Sequence, residues 1–206
     1  RGSRRSSPHC GAASAGDEHR RDAVLRSADM GDDAHDSYED LTECGLSPEL
    51  EQQLVYSQRE CVFMWTNKAG EAFGVVMSYL PKDGKFWLTA AERRQRIAAI
   101  RRFPRASLCV NSAGSKVPGS RTITYKGSTV VHDDRETKDW FYPEFAKYLR
   151  PDDEIASSTF QKFLDSPSRV IIEFTPDYKL GFDSSILWQR SPEAAKRNTP
   201  GITRQH

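Results

Sequence analysis

The stretch that most constrains this chain is residues 61–89, where β-rich runs alternate with short turns. Residues 61–66 (CVFMWT) are aromatic or β-branched at most positions, and Asn67-Lys68-Ala69-Gly70 reads as a turn. Residues 72–80 form a second run, Pro81-Lys82-Asp83-Gly84 a second turn and residues 85–89 a third run. A glycine closing each turn supplies the positive φ that tight hairpins need. The pattern predicts an antiparallel meander of three strands.

The rest of the chain adds strands and short helices. Ser47-Pro48-Glu49 offers an N-cap, a proline at the first helical position and an early acid, so a helix opens there. Residues 91–103 (AERRQRIAAIRRF) are strong helix formers stopped by Pro104. Residues 106–110 read as a strand, 112–120 (SAGSKVPGS) as a mobile loop, and 121–132 as a long strand that Gly127 bends or bulges. Asp133-Asp134-Arg135-Glu136 resembles a capping box opening a helix to about Leu149. A helix at 156–164 and strands at 169–174 and 179–188 complete the reading. Six to seven antiparallel strands with short inserted helices make an α+β, barrel-like fold.

Composition sets the limits. Of 206 residues, 37% are hydrophobic, and 30 Lys+Arg balance 29 Asp+Glu to a net charge of +1. That balance argues against a bulk nucleic-acid coat and against an acidic tail. No run approaches the ~18 apolar residues of a membrane span. The four cysteines, Cys10, Cys44, Cys61 and Cys109, form no CxxC pair and fit neither a zinc site nor a disulfide framework. A reducing cytoplasm is the expected setting. Residues 1–40 are rich in Arg, Ser, Gly and Asp and are expected to be a disordered N-terminal extension without a signal-peptide core. The folded domain is placed at 41–190 and a flexible tail at 191–206.

Charge is concentrated in one place. Residues 86–105 hold six Arg against one Glu. They begin where a strand ends in Thr89 and a helix starts, and a helix N-terminus already favours an anion. Guanidinium groups match phosphate oxygens. At ~100° per residue, Ile97, Ile100 and Phe103 mark the inward face, and Arg93 and Arg96 fall on it. An inward Arg needs a partner, and the helix carries no acid beyond Glu92. A bound phosphate would serve, as would a carboxylate from elsewhere or snorkelling to solvent.

The ordered combination Val75-Val76-Met77-Ser78-Tyr79, Asp83-Gly84, Phe86-Trp87-Leu88-Thr89, Arg94-Gln95-Arg96, Arg101-Arg102, Pro104-Arg105 and Arg121-Thr122-Ile123-Thr124-Tyr125-Lys126-Gly127 resembles the pyridoxamine 5'-phosphate oxidase-like, flavin-binding split-barrel superfamily. The resemblance covers roughly residues 61–188. It implies a split β-barrel homodimer with FMN, or alternatively a deazaflavin of the F-420 type, at the interface, acting on a small-molecule substrate. The family's Ser, Arg and Lys phosphate ligands fall on Arg94, Gln95 and Arg96, its strand-end Thr on Thr89, and its Gln near Arg121. Met77, Ser78 and Leu88, on the strands leading there, join the expected cofactor contacts. Gln95 departs from the pattern by losing the charge, and Arg94 restores it next door. The C-terminal substrate signature of pyridoxamine phosphate oxidase is absent from residues 181–188, which implies another substrate.

Other features take simpler readings. His132 with Asp133 and Asp134 is a strand end and a helix cap before it is a metal site. Trp140-Phe141-Tyr142 is core or dimer packing, and Tyr125 and Lys126 border a substrate face or are ordinary strand residues. Three function classes follow: a flavin-dependent oxidoreductase, a split-barrel module that binds flavin or haem without turnover, and a nucleic-acid-binding barrel using the Arg-rich helix. The third lacks the interleaved aromatics of a stacking platform, so no nucleic-acid or membrane partner is expected. No catalytic side chain is assigned, because flavin chemistry belongs to the cofactor.

Overall fold

The computed structural model describes residues 41–192 and Ala195, so the expected extension at 1–40 and most of the tail lie outside the described residues. Helix α1 (Pro48–Ser57) starts as its sequence dictates, with the Leu50 amide donating to Ser47 Oγ at 3.2 Å. Strands β1 (Glu60–Thr66) and β2 (Ala72–Ser78) form a hairpin. The Asn67 side chain accepts from the amides of Ala69 and Glu71, and Gly70 takes φ +82°. Strands β3 (Leu80–Lys82) and β4 (Lys85–Ala91) form a second hairpin, whose loop is Asp83-Gly84 with positive φ at both positions. Such a loop matches the right-handed twist of the flanking strands.

The expected second strand is therefore two strands that break at Tyr79. This changes the topology. The sheet order is β2-β1-β5-β6-β7-β4-β3, where β5 is Arg105–Asn111, β6 Arg121–His132 and β7 Arg169–Asp183. The two edge strands, β2 and β3, are consecutive in the chain. A sheet whose opposite edges are separated by one residue must curl until they meet, so the seven antiparallel strands form an α+β split-barrel-like fold. The three predicted strands do not lie side by side as a simple meander: β4 pairs with β7, with Leu88 opposite Ile172.

Alternation fills the interior. Phe63, Leu88, Leu108, Ile123, Ile172 and Phe174, from β1, β4, β5, β6 and β7, are buried inside the barrel. Each such side chain contributes about 1.5–3 kcal/mol by leaving water. Helix α2 (Gln95–Arg102) closes one end with Ile97 and Ile100. It is shorter than predicted: β4 runs on to Ala91, Arg93 precedes the helix, and Phe103 is its exposed C-cap.

Outside the barrel, α3 (Arg135–Leu149) and α4 (Glu154–Leu164) pack Phe141, Tyr142, Phe145 and Leu164 onto Leu80 and Ile171. The cap of α3 is Asp134, which accepts from the Thr137 amide at 2.7 Å.

Strand β7 is continuous through Pro176, beside a register shift at Lys126/Gly127. The predicted irregularity at Gly127 has a steric cause. A Cβ there would lie 2.2 Å from the Thr175 carbonyl oxygen. The chain after Asp183 is helix α5 (Ser184–Arg190), not the strand expected at 179–188, because Asp183 caps it through the Ser185 amide at 2.8 Å. The 112–120 segment is pinned rather than mobile. The Ser112 hydroxyl donates to the Gly119 carbonyl, Ser115 Oγ to the Ser112 carbonyl, and Val117 is buried.

Candidate functional site

The β4–β7 register sets Thr89 opposite Ile171 and Ala91 opposite Arg169, so Thr89 and Arg169 share the outer face of the barrel. The Thr89 hydroxyl donates to the Val170 carbonyl at 2.8 Å. The Glu92 amide donates to the Ser168 carbonyl at 2.7 Å, which ties the turn before α2 to the start of β7. Arg96, the second residue of α2, is thereby brought beside Arg169, the first of β7. The end of β2 supplies Met77 and Ser78, and helices α3 and α4 roof the space with Phe145, Leu149, Phe160, Phe163 and Leu164. Together these ten residues line a cavity of about 190 Å³.

Its electrostatics are one-sided. The lining includes two guanidinium groups and no carboxylate. The Nε atoms of both Arg96 and Arg169 are buried without a hydrogen-bond partner. Each guanidinium rests on an aromatic ring instead: Arg96 lies 5.9 Å from the Trp65 centroid and Arg169 5.6 Å from that of Phe163. Burial, and then the charge of Arg94, lower the Arg96 pKa. A guanidinium remains protonated under such a load, so the cavity lining keeps its positive charge. Nearby, burial raises the Tyr142 hydroxyl pKa against the opposing effects of Thr89 and Arg169.

The structure brings four of the expected residues together here: Met77, Ser78, Thr89 and Arg96. Leu88 sits one residue away with its side chain inside the barrel. Arg94 is the exposed N-cap of α2 and makes no side-chain capping bond. Gln95 turns to a different cavity, on the Trp65 side of α2. Arg121 lies at the other end of β7, where its Nε donates to Asp183 Oδ2 at 3.1 Å and its Nη2 to Ser185 Oγ at 3.3 Å. The rest of the basic cluster divides as well: Arg101 pairs with Glu92, and Arg105 with Asp177.

Sequence reasoning missed Arg169. Its signal was a charged residue opening the apolar run Val170-Ile171-Ile172 after Ser166-Pro167-Ser168.

Ser78 and Leu149 also line a second, larger space, so the two cavities adjoin and share part of their walls. This groove of about 1130 Å³ runs between α1, the outer face of β1–β2, the 111–116 loop and the end of α3. Tyr56, Arg59, Val62, Val76 and Arg150 are among its walls. Cys61 reaches it too, but burial pushes its thiol well above the usual range and Sγ donates to the Met77 carbonyl, so it is not a nucleophile. Tyr125 is also spoken for, since its buried hydroxyl donates to Glu51 at 2.7 Å. His132 bonds Glu173 through Nε2 at 2.8 Å on the outer face of the sheet, away from the cavity lining.

No protein-family model and no curated protein sequence matches this chain. Solved structures do. A conserved hypothetical protein of Mycobacterium tuberculosis is similar over 68% of this chain and 88% of its own, with 18% identity and a TM-score of 0.58. A candidate 5-nitroimidazole antibiotic resistance protein of Bacteroides thetaiotaomicron is similar over 66% and 82%, with 12% identity and a TM-score of 0.51. Neighbours with TM-scores below 0.5 bear names that refer to pyridoxamine 5'-phosphate oxidase, to an F420 reductase and to FAD binding. At these identities the likeness establishes the shared fold. Among the described residues, no helix is long and apolar enough to cross a membrane.

Proposed function

We propose that this protein binds a phosphorylated flavin, FMN first and a deazaflavin as the alternative, and serves as an oxidoreductase on a small organic substrate. The observation that carries the reading is the pair of buried, unpartnered guanidinium Nε atoms in an acid-free cavity. Two half-buried cations that line one cavity without a carboxylate favour an anion between them. Arg96 and Arg169 would hold the phosphate, with Ser78 and Thr89 beside it. The adjoining groove has the volume for a flavin ring system. The bound flavin would supply hydride or electron transfer. The cavity itself offers no side chain suited to proton transfer near neutral pH; its polar groups are Ser, Thr and Arg. The protein's part is to bind, orient and exclude water.

The groove opens along edge strand β2, whose outer residues Ala72 and Val76 are exposed and apolar. A second copy covering that edge would enclose the ring, so we place the flavin at a homodimer interface.

Titration with FMN, read by quenching of flavin fluorescence, tests the reading. Stoichiometric binding is expected. Arg96→Ala should weaken it by ~10–100-fold, the scale of a charge-assisted hydrogen bond. Unchanged affinity in a folded Arg96→Ala protein would remove the phosphate clamp. A second reading, binding without turnover, is favoured by the lack of an acid–base group in the cavity. Reduction of bound flavin by NADH or NADPH, followed by reoxidation by an added acceptor, separates the two.

A further inference from the structure

Helix α2 also walls a second pocket, of about 430 Å³, that shares no lining residue with the first and has a different chemistry. Its floor is a pair of stacked rings. Trp65 and Phe73 are direct cross-strand partners on β1 and β2, with centroids 6.1 Å apart and planes 20° from parallel. Trp65 is buried, whereas Phe73 is 46% exposed, so one aromatic face is open. The wall is α2, which presents Gln95, Ala98, Ala99 and Arg102. The two alanines are what leave the space: bulkier side chains at these helical positions would fill it. The rim carries Asn67, Lys68 and Arg102 and no acid. No carboxylate pairs with Lys68 or Arg102 among the described residues. Asn67 is engaged in its turn with the amides of Ala69 and Glu71.

We infer that this pocket binds a planar aromatic anion of the size of a nucleoside monophosphate, at a site separate from the flavin phosphate cavity. The ring would stack on the open face of Phe73, continuing the Trp65–Phe73 pair. Lys68 and Arg102 would meet the phosphate. Aromatic stacking supplies affinity without demanding one particular base, and charge complementarity selects a phosphorylated ligand over a neutral one.

Equilibrium dialysis with AMP, adenosine and inorganic phosphate tests this. AMP should bind, and adenosine or phosphate alone should bind at least tenfold more weakly. Phe73→Ser should weaken AMP by about tenfold. Ala98→Phe fills the pocket from an exposed position and should abolish AMP binding. Arg169→Gln, which alters only the other cavity, should leave AMP binding intact. FMN binding should show the reverse pattern, weakened with Arg169→Gln and kept with Ala98→Phe. The inference is overturned if AMP does not bind at millimolar concentration, if adenosine binds as well as AMP, or if Ala98→Phe binds AMP normally. Loss of AMP binding in Arg169→Gln would also overturn it, by making the two sites one. Failure of FMN to bind would count against the flavin reading alone.

Discussion

Two arginine sites stand at opposite ends of β7, and they differ in one respect. At the last residue, Asp183, the strand meets Arg121 in an ion pair whose side chains are 5% and 13% exposed, with Ser185 completing the bonding. At its first residue, Arg169 meets Arg96 with no acid between them. The same residue type has been satisfied internally at one end and left open at the other. The first is a structural rivet, because its charge has been consumed by the fold. The second keeps its charge uncompensated, which is what the proposed phosphate site requires. For a buried arginine, the presence or absence of a carboxylate is thus the physical distinction between fastening and binding.

The largest effect should come from the closed site. Asp183→Ala leaves Arg121 buried without its partner and unfastens the cap of α5, which should cost about 3 kcal/mol in a urea melt. A loss below ~1 kcal/mol would mean that the pair is solvated, and the contrast would vanish. At the open site the stability and binding effects should separate. Arg169→Gln should weaken FMN by ~10–100-fold. The same variant should change unfolding free energy by less than ~1 kcal/mol, the scale of its contact with Phe163. A large destabilisation with intact FMN binding would reverse the two assignments.

A smaller effect is set by pH. Burial acts to raise the Asp183 pKa, but the Ser185 hydrogen bonds and Arg121 outweigh it, so the carboxyl is held below its ordinary value. A depressed carboxyl contributes stability above its unfolded pKa and loses it as pH falls through the folded one. The stability gap between the wild type and Asp183→Ala should therefore be constant near neutrality and narrow below about pH 4. A gap that persists at pH 2 would show that packing, not charge, supplies it.

Much of this architecture was legible in residue order. Alternation located the strands, Asp83-Gly84 named its hairpin, Gly127 announced the bulge and Ser47-Pro48 began α1. Of the four expected residues that line the cavity, Arg96 was legible from helical periodicity, whereas Met77, Ser78 and Thr89 came with the family resemblance. Arg169 was not legible, since only the pairing of β4 with β7 brings it to the site, and pairing between distant strands leaves no local trace. Arg121 misled for the same reason: its partner Asp183 is distant in sequence. The break at Tyr79 was hidden because residues on both sides of it favour strands, and only the closure of the sheet divides them.

That break also separates local pairing from distant pairing, with a consequence for assembly. The hairpins β1–β2 and β3–β4 are local, and Tyr79 tethers them, its buried hydroxyl anchored on the Val55 carbonyl at 2.7 Å. Strands β5, β6 and β7 lie between β1 and β4 in the sheet, so joining the hairpins requires long loops to close, as in the pairing of Trp87 with Glu173. Non-local pairing of this kind is slow. Met77 and Ser78 belong to the early hairpins, whereas Arg169 rides on the strand that arrives late. Anion affinity should consequently emerge only in the final phase of refolding, which makes ligand capture a clock for barrel closure.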